Sequence, residues 1–485
     1  MQQGISAGHQ ETLNTAREIL RAGGNAFDAA VAAHLTMFVA EPCMASAGGG
    51  GFALTYEPDK GVKFLDFFCQ TPSSRGSRPE IDFFPIEVDF GKDKESFYIG
   101  AASVAVPGTM AGLFHLQSHF GTMPFSELAA IPIALAKKGV AVDAFQAIDF
   151  GLLKPILTYS DAGKEIFMKA EEMKKEGDII CLPMMADFLS FLSSEGVAGF
   201  YRGEIGAQIA KTNQDKGGFL QRKDFENYKV NSSTPLRTKF GNHTLHSANN
   251  PSIGGVILAN FVASMQSEDT AALIKRLNKN LLDIEYQVGE YDRINATNKL
   301  ASWGNDTITK GTSHFNILDK WGNAIALTTS LGEGNGTFIK GTQMQLNNML
   351  GELFLLPQGA HSWKENRRLN SMMSPSMIVN QQNELQLILG SGGASRIPFA
   401  IGQTIKQLFS NKHSLAKAIQ APRMHFHENQ LQAEFFEAFE EKPSEPHKIW
   451  DQNHMFFGGV HGISKMGKHL QACADPRRFG VSAVF

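Results

Sequence analysis

Gly311-Thr312-Ser313-His314-Phe315-Asn316-Ile317-Leu318-Asp319, then Lys320-Trp321-Gly322-Asn323, then Ala324-Ile325-Ala326-Leu327-Thr328-Thr329-Ser330, reads as two buried strands joined at a glycine-containing turn. A threonine that opens such a strand has a special chemical option. If the chain is cut before it, one residue supplies both an attacking hydroxyl and a base, its new α-amine. A free α-amine has a pKa of about 7.7–8 and accepts a proton near neutral pH. Taken alone, the stretch reads as an ordinary threonine-rich hairpin with Gly322 in its turn.

Bulk properties describe a large globular protein. The 485 residues allow two or three domains and an extensive core. Hydrophobic residues make up 42% and charged residues 19%, both ordinary proportions. A net charge of −3 gives no electrostatic case for nucleic-acid or anionic-membrane partners. The cysteines Cys43, Cys69, Cys181 and Cys473 are too scattered for a disulfide framework or a zinc site and are read as reduced. No apolar run approaches the roughly 18 residues of a membrane span. The start, Met1 to Ser6, shows no charged-then-apolar leader, so the expected location is cytoplasmic, with periplasmic or secreted as the alternative if a leader has been removed.

The pattern predicts helices in the first 40 residues, where Leu13, Ala16, Ile19 and Leu20 form a stripe that stops at Gly23-Gly24. Residues 50–75 alternate like strands, residues 108–225 are mostly helical, and strands dominate from Thr312 until a helix over Ile401–Phe409. Neither Gly48–Gly51 nor Gly390–Gly393 is followed by Lys-Ser/Thr, which excludes a phosphate cradle. His314 shares a strand face with Thr312 and is read as structural. His425 and His427 have no third ligand at metal-like spacing, so neither metal nor cofactor is expected. Two stacked sheets covered by helices is as far as the pattern goes.

Other blocks occur in a telling order. They are Gly24-Asn25-Ala26-Phe27-Asp28-Ala29-Ala30, Glu41-Pro42 before Gly48-Gly49-Gly50-Gly51-Phe52, Val106-Pro107-Gly108-Thr109 before Phe120-Gly121-Thr122-Met123-Pro124, Met373-Ser374-Pro375, Gly390-Ser391-Gly392-Gly393-Ala394-Ser395-Arg396, Ala421-Pro422-Arg423 and Ala474-Asp475-Pro476-Arg477-Arg478. Together with the Thr312 hairpin they resemble the γ-glutamyltranspeptidase family over nearly the whole chain. The resemblance implies the α+β, four-layer αββα sandwich of N-terminal-nucleophile hydrolases. It also implies self-cleavage between Gly311 and Thr312. The products would be a large segment, 1–311, and a small one, 312–485, held as one intertwined heterodimer. A glycine before the nucleophile suits strained backbone.

The same resemblance implies roles. Thr312 is the nucleophile and Ser330 its hydroxyl partner. Gly393 and Ala394 supply oxyanion N–H groups, each such donor stabilising the transition state by roughly 3–4 kcal/mol. The pocket departs from the family. Phe68 stands at the family's carboxylate-binding arginine, and Ser371 and Met372 replace its two serines. Gly332 replaces an asparagine, Met349 a Glu or Gln, and Glu352 an acidic residue with a shorter arm. Phe68 cannot replace a bidentate Arg–carboxylate contact. Either Arg367, Arg368 or Arg396 reaches the site, or the acyl group lacks a free α-carboxylate. The expected substrate is a small γ-glutamyl amide such as glutathione, with another acyl amide as the alternative. An unprocessed, non-catalytic homologue is the third possibility.

Overall fold

The Thr312 hairpin lies at the centre of a seven-stranded antiparallel sheet. In spatial order its strands are Asn231–Ser233, Gly61–Phe67, Gly50–Glu57, Ala324–Gly332, Gly311–Leu318, Gly4–Ala7 and Val481–Val484. A second antiparallel sheet runs Leu236–Phe240, His243–Ser247, Ser376–Asn380, Leu385–Gly392, Gly459–Met466 and His469–Cys473. The computed structural model describes residues 2–76, 80–89, 94–279, 311–352, 355–356, 359–427, 430–435, 437, 447–466 and 469–485.

The sheets stack face to face, with Gly311–Leu318 packed on Leu385–Gly392 and Gly459–Met466. Helices Ala26–Ala40 and Thr109–Phe120 cover the outer face of the first sheet, and Ile253–Ser264 and Ile397–Phe409 that of the second. This is the four-layer αββα arrangement. Both sheets combine strands from before and from Gly311 onward, so each half of the chain completes the other's hydrogen-bond ladder.

Burial explains where simple pattern reading misled. Gly50–Glu57 is buried at all but its last position, and both hairpin strands are buried throughout. A sheet covered on both faces offers no polar side, so alternation is a weak guide there. The last long helix begins at Ile397 rather than Ile401, because Pro398 is favoured in a first turn that needs no N–H. The turn of the hairpin does form at Gly322, whose φ is 90°. Buried Asp319 closes it by accepting from the Trp321 and Asn323 N–H groups at 2.9 Å, and it also accepts from the Ala26 N–H at 3.0 Å. That contact docks the hairpin on the start of helix Ala26–Ala40.

The opening blocks are struts of the same kind. Asn25 caps that helix by accepting from Phe27 and Asp28 N–H groups. The Asp28 carboxylate accepts from the Thr122 N–H and hydroxyl and from the Met123 N–H, fixing the Phe120–Pro124 turn. Among the described residues no helix is long and apolar enough to cross a membrane.

Helix Ala26–Ala40 is buried along its whole length and carries His34 against the rings of Phe38 and Phe315. Burial pushes the His34 imidazole down to about 3, and those of His314 and His461 to about 3 and about 4. Below pH 6.5 the unfolded chain therefore binds protons that the folded chain refuses. Stability is retained above that pH and falls as pH drops toward 4, by up to about 1.4 kcal/mol per pH unit for each such histidine. Thermal unfolding followed from pH 7 to pH 4.5 should show a falling midpoint. His34→Leu should flatten that fall; parallel curves would count against the assignment.

Candidate active site

Thr312 sits at a break in the strand register. Gly311 pairs with Gly332 but Thr312 pairs with Ser330, which leaves Leu331 as an extra residue on the opposite strand. The bulge places one hydroxyl among three groups. Thr312 Oγ1 donates to Ser330 Oγ at 3.2 Å, and Ser330 Oγ donates to the Gly311 carbonyl at 2.8 Å. The Gly332 N–H completes the set, donating to Ser330 Oγ at 3.1 Å. A proton path thus runs from the Thr312 hydroxyl to the carbonyl of the preceding peptide. Both side chains are buried, at 6% and 7% exposure, so little water competes.

Glycine at 311 is required by crowding. A Cβ there would stand 1.9 Å from the Gly332 carbonyl oxygen and 2.6 Å from that of Cys43. Its φ is not in the left-handed region, so close backbone approach, rather than the strained dihedral expected from sequence, explains it. The run Gly48–Gly51 has the same cause. A Cβ at Gly49 would meet the Ser330 carbonyl at 2.6 Å, and one at Gly51 the Thr328 carbonyl at 2.6 Å.

The glycine turn at 392–394 follows strand Leu385–Gly392. Gly393 has φ 121° and ψ 34°, and Ala394 has φ 53°. Ala394 is thus a non-glycine residue in left-handed backbone, at a cost of roughly 1–2 kcal/mol. Such strain persists where the surroundings hold it and concentrates at functional sites. Ala394 lines the same cleft as Thr312, while Gly393 packs beside Gly458 at the back of the turn.

That cleft has a volume of about 340 Å³. Thr312, Ser330, Gly332, Glu352, Ser371, Met372, Ala394 and Phe68 all line it, together with Met349. The structure therefore brings together every residue expected at the site except Gly311 and Gly393, which adjoin it. Leu355, Met373 and Ile397 also line the cleft. Being ordinary apolar residues, they carry no signal in a sequence.

His314 is occupied elsewhere. Its Nδ1 meets Thr328 Oγ1 at 2.8 Å and its Nε2 meets Asn316 Oδ1 at 2.9 Å. Because an amide oxygen only accepts, Nε2 carries the hydrogen and Nδ1 accepts from the threonine. A second cavity of about 490 Å³ shares Thr312 and is lined by Glu41, Asp149, His461 and Arg478 among others. There Glu41 accepts from Thr12 Oγ1 at 2.7 Å and Ser313 Oγ at 2.6 Å, tying the first helix to the strand that carries Thr312.

Among the described residues, no arginine lines the cleft beside Phe68. None of Arg367, Arg368 and Arg396 lines the cleft. Arg368 is held behind Phe68 by Asp66 at 2.9 Å, the Phe68 carbonyl at 2.8 Å and the Lys229 carbonyl at 2.6 Å, with Tyr228 under its guanidinium. Arg396 donates from Nε to the Phe456 carbonyl at 3.0 Å and lies over the Phe456 ring. The C-terminal motifs are likewise internal. Arg423 and Arg477 pair with Asp475, Arg477 also pairs with Glu434, and Arg478 donates to the Thr312 carbonyl at 3.4 Å.

Comparison with known proteins agrees with this geometry. The sequence profile of the gamma-glutamyltranspeptidase family matches residues 13–280 and 263–485. The glutathione hydrolase proenzyme of Pseudomonas aeruginosa is 29% identical, over 99% of this chain and 94% of its own length. The capsule biosynthesis protein CapD proenzyme of Bacillus anthracis is 25% identical, over 98% of this chain and 90% of its own. Among solved structures, cephalosporin acylase from Bacillus halodurans superposes with a TM-score of 0.80 at 19% identity, covering 99% of this chain and 95% of that one, which speaks for the fold. With the profile matched along nearly its whole length, this chain belongs to the γ-glutamyltranspeptidase family and has the fold of N-terminal-nucleophile hydrolases.

Proposed function

We propose that this chain is a proenzyme that cuts itself between Gly311 and Thr312 and then acts as an N-terminal threonine amidohydrolase and acyltransferase. Segments 1–311 and 312–485 stay together as one heterodimer. The observation that carries the reading is the Thr312–Ser330–Gly311 hydroxyl relay. In the first step Thr312 Oγ1 attacks the Gly311 carbonyl carbon and the peptide nitrogen leaves with a proton, giving an ester. Water hydrolyses the ester, freeing the Gly311 carboxylate and the Thr312 α-amine. That α-amine then takes the proton of its own hydroxyl as Oγ1 attacks a substrate amide. The oxyanion forms near the Gly393 and Ala394 N–H groups, and the amine departs with a proton. The acyl-threonine passes its acyl group to water or to an amine.

For the acyl donor, the names of the relatives favour γ-glutamyl amides such as glutathione. Glu352 and Ser371 would then bind the glutamyl head, with Gly332, Met372 and Phe68 shaping its walls. The cleft lining favours a second reading, a non-glutamyl acyl amide, because Phe68 stands where a carboxylate would need a cation. An uncompensated buried carboxylate costs several kcal/mol. Four free thiols fit a reducing compartment, and the cytoplasm is the location we favour.

Intact mass of purified full-length protein held at neutral pH should resolve two fragments meeting at Gly311/Thr312. Thr312→Ala should remain one chain. A single uncut polypeptide in both samples would instead support the non-catalytic homologue. Ser330→Ala removes the relay and should slow self-cleavage by about a hundredfold, in keeping with the usual worth of a positioned proton-transfer group. Ser330→Thr keeps the hydroxyl and should process within about tenfold of the parent. A Ser330→Ala chain that processes at the parental rate would remove Ser330 from the mechanism.

A further inference from the structure

A buried cation reaches the backbone of Thr312 through two bare glycines. The stem of Arg478 passes Gly459, where a Cβ would stand 2.6 Å from Arg478 Cδ. Its guanidinium ends beside Gly392, where a Cβ would stand 2.9 Å from Nη1 and would also strike the Thr312 carbonyl oxygen. Nη1 donates to that carbonyl at 3.4 Å, and the buried Nε has no hydrogen-bond partner among the described residues. In an extended strand the N–H and C=O of one residue point to the same edge. On that edge the ladder with Gly4–Ala7 ends at Ser6 and Asn316, and the chain turns away through Gly8 and His9. What lies there instead is the cavity of about 490 Å³ that Thr312 and Arg478 both line. The Thr312 nitrogen therefore faces this cavity and the guanidinium in it.

The charges around that nitrogen are few. Burial lowers Arg478 only to about 10, so it is a cation at neutral pH. His314 and His461 are neutral there, since burial holds them at about 3 and about 4. Glu41 is engaged by Thr12 and Ser313 with its carboxyl pushed up by burial, and burial keeps Cys43 a thiol. Asp143 stands 3.5 Å from His9, and Glu352 lies on the other side of Thr312, in the acyl cleft. Asp149 is the cavity's counterweight to Arg478. It is 2% exposed, its Oδ1 has no partner, and burial lifts its carboxyl to about 7 against the pull of Arg478.

We infer that Arg478 is a positioning residue that keeps the new Thr312 α-amine unprotonated, and so able to act as the base, while Asp149 in the same cavity tempers that effect. This rests on self-cleavage before Thr312, because the amine exists only afterwards. An ordinary α-amine, with a pKa of about 7.7–8, is mostly protonated at pH 7 and cannot accept the hydroxyl proton. A cation close by disfavours its charged form, and an anion favours it. In turnover the free amine takes the Thr312 hydroxyl proton as Oγ1 attacks and hands it to the departing amine. Arg478 gains and loses no proton in the cycle.

Nitrogen-15 threonine labelling of the self-cleaved protein tests this without a substrate. After cleavage Thr312 holds the one threonine nitrogen outside a peptide bond, and its NMR shift reports its titration directly. The parent amine should titrate below the ordinary value of about 7.7–8. Arg478→Gln should raise the midpoint by about one pH unit, and Arg478→Lys, which keeps the charge, should stay near the parent. Asp149→Asn should move the midpoint the opposite way, by less, because that carboxyl is itself only partly ionised near pH 7. A purely structural role for either residue would not produce opposite shifts. A parent midpoint of about 8 or above, or an Arg478→Gln midpoint equal to the parent's, overturns the role of Arg478 while self-cleavage stands. If Arg478→Gln fails to fold and cleave, Asp149→Asn decides: an acid-shifted midpoint sustains the role and an unmoved one overturns it. A parent chain that stays uncut overturns self-cleavage and this role together.

Discussion

A single oxygen organises the centre of this protein. Ser330 Oγ accepts from the Thr312 hydroxyl and the Gly332 N–H while donating to the Gly311 carbonyl. It can do so only because the ladder slips by one residue there, which turns Gly311 and Thr312 toward the same side chain. A regular antiparallel pair would satisfy the backbone groups of both strands and leave the hydroxyls without a shared target. The rest of the architecture holds that slip in place.

The holding is done by close backbone contact and by buried charge. Gly48–Gly51 and Gly311 are bare because neighbouring carbonyls occupy the space of any Cβ. Asn347 stitches the next loop to that run, donating to the Gly48 carbonyl at 2.7 Å and the Ala105 carbonyl at 2.9 Å. Asp28, Asp319 and Asp475 each close a junction between distant segments by collecting several donors. Buried carboxylates of this kind are costly alone and stabilising only when fully partnered. These residues make up most of the recognisable blocks in the chain, so the blocks report the frame more than the substrate.

The substrate wall obeys a different logic. It is assembled largely from side chains of several loops and one helix start. Phe68, Met349 and Met372 make much of that wall apolar. A shared fold therefore carries the reaction class well and the acyl preference poorly.

By itself the sequence determined the Thr312 hairpin with its Gly322 turn, the early helices and the glycine turn at 392–394, while the pairing of Thr312 with Ser330 and the departures at Phe68 and Met372 were what the family resemblance of its motifs implied. Those features are local, written in periodicity, turn residues and ordered motifs. Only the tertiary structure decided that Gly311 is glycine for space, that His314 is engaged by Thr328 and Asn316, that Arg368 is tied up behind Phe68, and that Leu355, Met373 and Ile397 complete the cleft. Each of those depends on contacts between residues far apart in the chain. The bulge is the clearest case: one extra residue in a buried strand looks like any other apolar position until its partner strand is in place.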